Sequence, residues 1–275
     1  MKNILLPTDF SENSKNAIKY ALDFFKDETC TFHILNTHKP SGYITADVLH
    51  SKPGSSVYES VLRDNKEQLA TMVTFCESYS KNENHTFIPK IDFDDIVSAV
   101  KQIINKENID LIIMGTKGAT GAANIIFGSN TIKIIRNVQC ALLVVPQDFK
   151  FEGVNNVLLS LHQQNDITKK SFQLFLNLVQ LQQASIKLLN ISENDTVDTL
   201  QQSYLTSIFK EVEVAQYTLK NISVPLAVSA FTQLIPVELH ATIARHKSFI
   251  DRLVYGSNTS EINHNSRVPL LVLHE

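Results

Sequence analysis

Between Leu111 and Val145 the chain reads LIIMGTKGATGAANIIFGSNTIKIIRNVQCALLVV. A short apolar run, Leu111 to Met114, breaks at Gly115, and helical periodicity resumes only after Gly128 and Ser129. This pattern predicts a strand that runs into a glycine-rich loop and then a helix. Glycine lacks Cβ and tolerates positive φ, so such a loop lets backbone N–H groups approach a ligand closely, phosphate being the usual one. Ser129 is expected at the helix N-cap, ahead of Thr131, Ile132, Ile134 and Ile135, so that the free N–H groups and dipole of that helix face the same space.

The elements on either side restrict the fold class. Asn3 to Leu6 reads as a buried first strand ending at Pro7, Asp9 lies in the following turn, and Ser11 caps a helix whose Ala17, Ile18, Ala21, Leu22 and Phe25 share one face. A second strand is expected at Thr31 to Thr37, a surface loop from Lys39 to Ser56, and a long helix over Val57 to Ser80. Then come a third strand, His85 to Ile91, and a helix capped by Asp94 or Asp95, with Ile96, Ala99, Val100, Ile103 and Ile104 forming an amphipathic stripe. A fifth strand, Ala141 to Val145, closes at Pro146. Unalternating apolar strands between helices predict an α/β fold: a five-stranded, Rossmann-like parallel sheet covered on both faces, with its ligand beyond the carboxyl ends of the strands.

The pattern then starts again. Val154 to His162 echoes Lys2 to Asp9, and Gly256-Ser-Asn-Thr259 repeats Gly128-Ser-Asn-Thr131. The offset is 153 at the start and 128 from Ile96 onward, where Val224 to Thr242 mirrors Ile96 to Met114 and Pro269 to His274 mirrors strand five. The net loss of 25 residues is expected in the loop after strand two and the long helix. These offsets divide the chain into two tandem domains, 1–148 and 152–275, joined near Gln147 to Gly153.

At 275 residues the chain accommodates two such units, and 43% hydrophobic against 19% charged residues suits two packed cores. A net charge of −3 gives no electrostatic reason to expect nucleic acid or anionic membrane as a partner. Three scattered cysteines without a C-x-x-C pair, and an N-terminus with too few apolar residues for a signal sequence, point to a reducing, cytoplasmic setting. The histidines form no H-x-x-x-H or H-E-x-x-H array, and no nucleophile with a base at motif spacing is evident. Neither a G-x-x-x-x-G-K-[ST] loop nor a G-x-G-x-x-G fingerprint is present.

Gly115, two residues, Gly118, nine residues, then Gly128-Ser129 resembles the nucleotide loop of the universal stress protein family. The opening Met1 to Glu12 and the closing Cys140 to Pro146 support the resemblance across the first half. It implies a pocket for an adenine nucleotide, ATP, with Mg²⁺ as an accompanying ion. Gly115, Gly118, Gly128, Ser129 and Asn130 would offer backbone N–H groups to the phosphates, assisted by the Ser129 and Thr131 hydroxyls. Pro7, Thr8 and Asp9 would hold the nucleoside, and Thr37 and Met114 match positions bordering adenine. Asp9 has an alternative use as a turn and cap residue beside Ser11, and Lys117 reads as an ordinary solvated lysine.

The second half departs from the resemblance at the site itself: Gly115 and Gly118 correspond to Ile243 and His246, and Asp9 to His162. A β-branched residue at the first glycine resists positive φ and blocks close backbone approach, and histidine removes an ionised acceptor. The second half therefore reads as a degenerate copy that has lost nucleotide. The functional expectation is a non-catalytic ATP-binding stress-response regulator or interaction module. A slow ATPase and a purely structural pseudo-dimer with both sites empty stay open as alternatives. The family commonly dimerises through the fifth strand, so Ala141 to Val145 and Leu270 to Leu273 are expected to pair within the chain, and a homodimer of whole chains is a further possibility.

Overall fold

The computed structural model describes residues 2–38, 57–116, 127–162, 169–192, 208–209, 212–244 and 268–274. The first half contains β1 (Lys2–Pro7), α1 (Glu12–Phe24), β2 (Cys30–Thr37), α2 (Val57–Tyr79), β3 (His85–Asp92), α3 (Ile96–Glu107), β4 (Leu111–Gly115), α4 (Ser129–Asn137) and β5 (Ala141–Val145). The second contains β6 (Asn156–His162), α5 (Lys169–Leu181), β7 (Ser185–Ser192), β8 (Val214–Lys220), α6 (Val224–Leu234), β9 (Leu239–Ala244) and β10 (Leu270–His274).

Helix ends follow local chemistry. Ser11 caps α1 by accepting from Ser14 N at 3.2 Å, which satisfies one of the donors that the first turn leaves without a helical partner. Asp95, the second of the two candidates, caps α3 by accepting from Val97 N and Ser98 N. That helix stops at Asn108, whose left-handed φ of 49° is one that asparagine tolerates better than most residues.

All ten strands form one sheet in the order β3-β2-β1-β4-β5-β10-β9-β6-β7-β8. Each half is parallel, with the order reversing between its first and fourth strands. The halves repeat in register: Ile4 lies opposite Leu111 and Val157 opposite Leu239, which are the same pairing under the offsets of 153 and 128. Between the second and third strands the first half has residues 38–84 and the second residues 193–213, 47 positions against 21. The second interval is shorter than the 23-residue α2 alone, so the deletion falls where the sequence places it.

The halves meet at β5 and β10, the one antiparallel pair among the described strands: Leu142 opposite Val272, Leu143 opposite Leu271 and Val144 opposite Leu270. Leu143 and Leu271 are themselves equivalent under the offset of 128, so a pseudo-twofold axis passes through this pair, as it would in an isologous dimer. On the face carrying α1, α2 and α5, one apolar core runs across the junction, from Phe32 and Ile34 through Leu143 and Leu271 to Ile186 and Leu188. On the other face α3 and α4 cover a core that includes Leu5, Met114 and Val272, while α6 covers a smaller one around Leu158 and Phe231.

His33 on β2 is 2% exposed, and neither ring nitrogen has a hydrogen-bond partner. Burial lowers its pKa from the ordinary 6.5; Glu107, ion-paired to Lys90 at 2.6 Å, opposes the shift, and Lys90 adds to it. His274 is lowered in the same sense by burial. Below about pH 6.5 the unfolded chain therefore binds more protons at these sites than the fold does, and stability falls as pH falls. Denaturant unfolding of the wild type should show its midpoint dropping between pH 7 and pH 5. His33→Leu should make that drop shallower without abolishing it, because His274 still contributes.

Candidate nucleotide site

The reversal of strand order between β1 and β4 opens a crevice at their carboxyl ends, the place where doubly wound sheets take ligands. Pro7 and Thr8 end β1 and are buried, whereas Asp9 is exposed in the turn. Thr8 N donates to Leu35 O at 2.8 Å, extending the β1–β2 ladder, and its hydroxyl lies 3.0 Å from Ser14 Oγ and accepts from Phe10 N at 3.0 Å. Asp9 Oδ1 accepts from Ser11 N at 3.1 Å and from Ser11 Oγ at 2.6 Å, which is the turn role the sequence offers as an alternative. Phe10 is held at φ 63°, a conformation that a bulky residue adopts only where its surroundings enforce it.

The end of β4 is tied to the start of α4 although residues 117–126, with Gly118 and Lys117 among them, lie outside the described residues. Thr116 N donates to Val145 O at 3.0 Å, and Gly128 N donates to Thr116 O. Thr131, 2% exposed, points its hydroxyl away from solvent to Gly115 O at 3.1 Å, with Thr116 O at 3.4 Å. Both ends of the glycine loop are thus anchored at the switch point, and Ser129 and Asn130 stand exposed on the first turn of α4. Thr37 is half-buried at the end of β2, opposite Asp92, and Met114 is 8% exposed within the core beside α3 and α4.

Two sequence expectations need correction. The N-cap of α4 is Gly128, with ψ 152°, and Ser129 is the first helical residue, so the helix begins without a side-chain cap. Nor does Gly115 adopt a left-handed φ; it is an extended strand residue, and what it needs is space. A Cβ built there would lie 2.6 Å from Asn13 Nδ2 and 2.7 Å from Asn13 Oδ1.

Sequence reasoning missed Asn13 and Asn36, because an isolated asparagine carries no motif. Asn13 is 4% exposed on the first turn of α1, and neither polar atom of its amide has a partner. Asn36 donates to Thr8 O at 2.9 Å, while its own Oδ1 has none. Unsatisfied buried amides are uncommon, and here they adjoin the two strand ends that a ligand would meet. A separate cavity of about 560 Å³ lies on the outer side of the turn, between α1 and α2, lined in part by Phe10, Lys15, Met72 and Phe75. Among the described residues no three His, Cys, Asp or Glu side chains converge as a metal site, and no helix is long and apolar enough to cross a membrane.

The model of the universal stress protein family matches residues 1–146, more than half of the chain. The chain belongs to the universal stress protein family. A universal stress protein of Methanocaldococcus jannaschii is 26% identical over 149 residues, spanning 54% of this chain and 84% of its own length. A putative universal stress protein of Staphylococcus haemolyticus is 28% identical over 162 residues, covering 55% and 91%. A solved universal stress protein from Archaeoglobus fulgidus is similar over 99% of this chain and 96% of its own, with a TM-score of 0.69 at 19% identity; that likeness extends the fold to both halves.

The Thr131 clamp gives a direct test. Thr131→Val keeps the shape but leaves two strand-end carbonyls without that donor. Its unfolding free energy should fall by about 1–3 kcal/mol in denaturant titration, and an unchanged value would mean that the hydroxyl does not hold the corner.

Proposed function

We propose that this universal stress protein binds ATP, with Mg²⁺ as accompanying ion, in its first half only, and acts as a cytoplasmic stress-response regulator or interaction module rather than an enzyme. The observation that carries the reading is the corner between β4 and α4. There Gly115 and Thr116 are tied to Gly128 and Thr131, and the helix starts at a glycine with no side-chain cap. The N–H groups of such a helix start suit a phosphate, because they and the helix dipole favour negative charge. Gly118, Ser129 and Asn130 would complete the phosphate loop. Thr8, Asp9 and Thr37, at the ends of the two strands on the other side of the crevice, would take the nucleoside, with Met114 lining the floor.

The second half supports asymmetry. Ile243, 4% exposed in β9, occupies the position equivalent to Gly115, so the strand end there carries a buried β-branched side chain where the first half has none. We assign residues 152–275 the role of a degenerate copy that keeps the sheet and pairs with the first half, each chain being its own pseudo-dimer.

Calorimetric titration of the intact chain with Mg-ATP should give one site per chain. The site should vanish in Gly115→Ile, Gly118→His, which writes the second half's residues into the first, provided circular dichroism shows that variant folded. Two sites, or no heat in the wild type, would contradict the proposal.

A further inference from the structure

We propose that Asn13 is a positioning residue of this site, and that its carboxamide, rather than the ligand, is what requires residue 115 to be glycine. The inference rests on the nucleotide reading above and deepens it.

Gly115 has an ordinary strand conformation, so backbone torsion does not explain the choice of residue. The space does. A Cβ at 115 would stand 2.6 Å from Asn13 Nδ2 and 2.7 Å from Cγ and Oδ1, closer than any carbon can approach those atoms without displacement. The atoms met are the end of the Asn13 side chain, and the backbone that carries each partner is held in place. On one side, the β4 corner is fixed by Thr131 Oγ1 on Gly115 O and by Thr116 N on Val145 O. On the other, the first turn of α1 is fixed by the Ser11 cap and the contact of Thr8 with Ser14. Asn13 is the wedge between the two walls of the crevice, the Thr8-Asp9 turn and the β4–α4 corner.

The residue type supports a functional use. Asn13 is 4% exposed with both amide atoms unpartnered, an arrangement that lowers stability relative to an apolar side chain of similar size. A polar wedge at this point is therefore not there for the core. It sets the separation across which the start of α4 and the β1 turn would grip one ligand, and small displacements of such groups weaken binding steeply.

Mg-ATP titration of the full chain tests this with three variants. Gly115→Ala should weaken binding by about tenfold or more, by pushing the walls apart. Asn13→Ala alone should weaken binding several-fold, because the spacing it sets is lost, and Gly115→Ala, Asn13→Ala should recover to within about threefold of wild type, since the new methyl then occupies vacated space. A double variant as weak as Gly115→Ala would overturn the inference and return the glycine requirement to the ligand. If the wild type binds no ATP, the proposed function fails by itself, and the steric claim is read from thermal unfolding. Asn13→Ala should then restore the melting temperature lost in Gly115→Ala; simple addition of the two losses would overturn it.

Discussion

The fold turns on the antiparallel pairing of β5 with β10. A five-stranded parallel sheet of this winding leaves its fifth strand at an edge, with a row of N–H and C=O groups ready to pair with another chain. Here Ala141–Val145 is matched by the second copy's own fifth strand, so both edges disappear inside one molecule. The Leu143–Leu271 pair at the centre is self-equivalent under the repeat, and the core beneath it is continuous between the halves. Burial of that length of apolar strand stabilises both units together, which allows one of them to change its site residues without losing its place in the sheet.

That division explains how the two halves diverge. Their strand registers coincide at the switch point, where Ile4–Leu111 and Val157–Leu239 are the same pairing, yet the residue one step before the loop is Gly115 in one and Ile243 in the other. In the first half the corner is narrow because Asn13 fills the side-chain space above it. A helix that begins at Gly128 without a side-chain cap, an extended Gly115 and a strained Phe10 are all local departures from the most stable choice, and they cluster at one crevice. Such clustering is expected where structure serves binding.

Much of this was legible in the sequence. The exact repeat of Gly-Ser-Asn-Thr fixed the second offset, and through it the deletion between β7 and β8. Apolar, unalternating strands announced the parallel sheet, and Ser11 and one of the two aspartates at 94 and 95 announced helix starts. What failed did so for identifiable reasons. Ser129 has a strong cap preference, but Gly128 in an extended conformation serves as N-cap and leaves the serine helical. From sequence, torsion and close backbone approach are the reasons available for glycine at 115; the side chain that crowds the position, Asn13, is remote in sequence and meets it only across the fold. Asn13 and Asn36 have no period or motif around them, and their burial is a property of the assembled sheet.

One sheet holds two equivalent frames, of which, in the function proposed here, only the first takes nucleotide. Hydrogen exchange followed by mass spectrometry, with and without Mg-ATP, addresses it directly. Added protection should appear in the segments carrying Thr8 to Ser11, Gly115-Thr116 and Gly128 to Thr131, and be absent from Ser160 to His162 and Thr242 to Ala244, while β5 and β10 exchange slowly in both conditions. Equal protection in the two halves, or fast exchange at β5 and β10, would contradict the account.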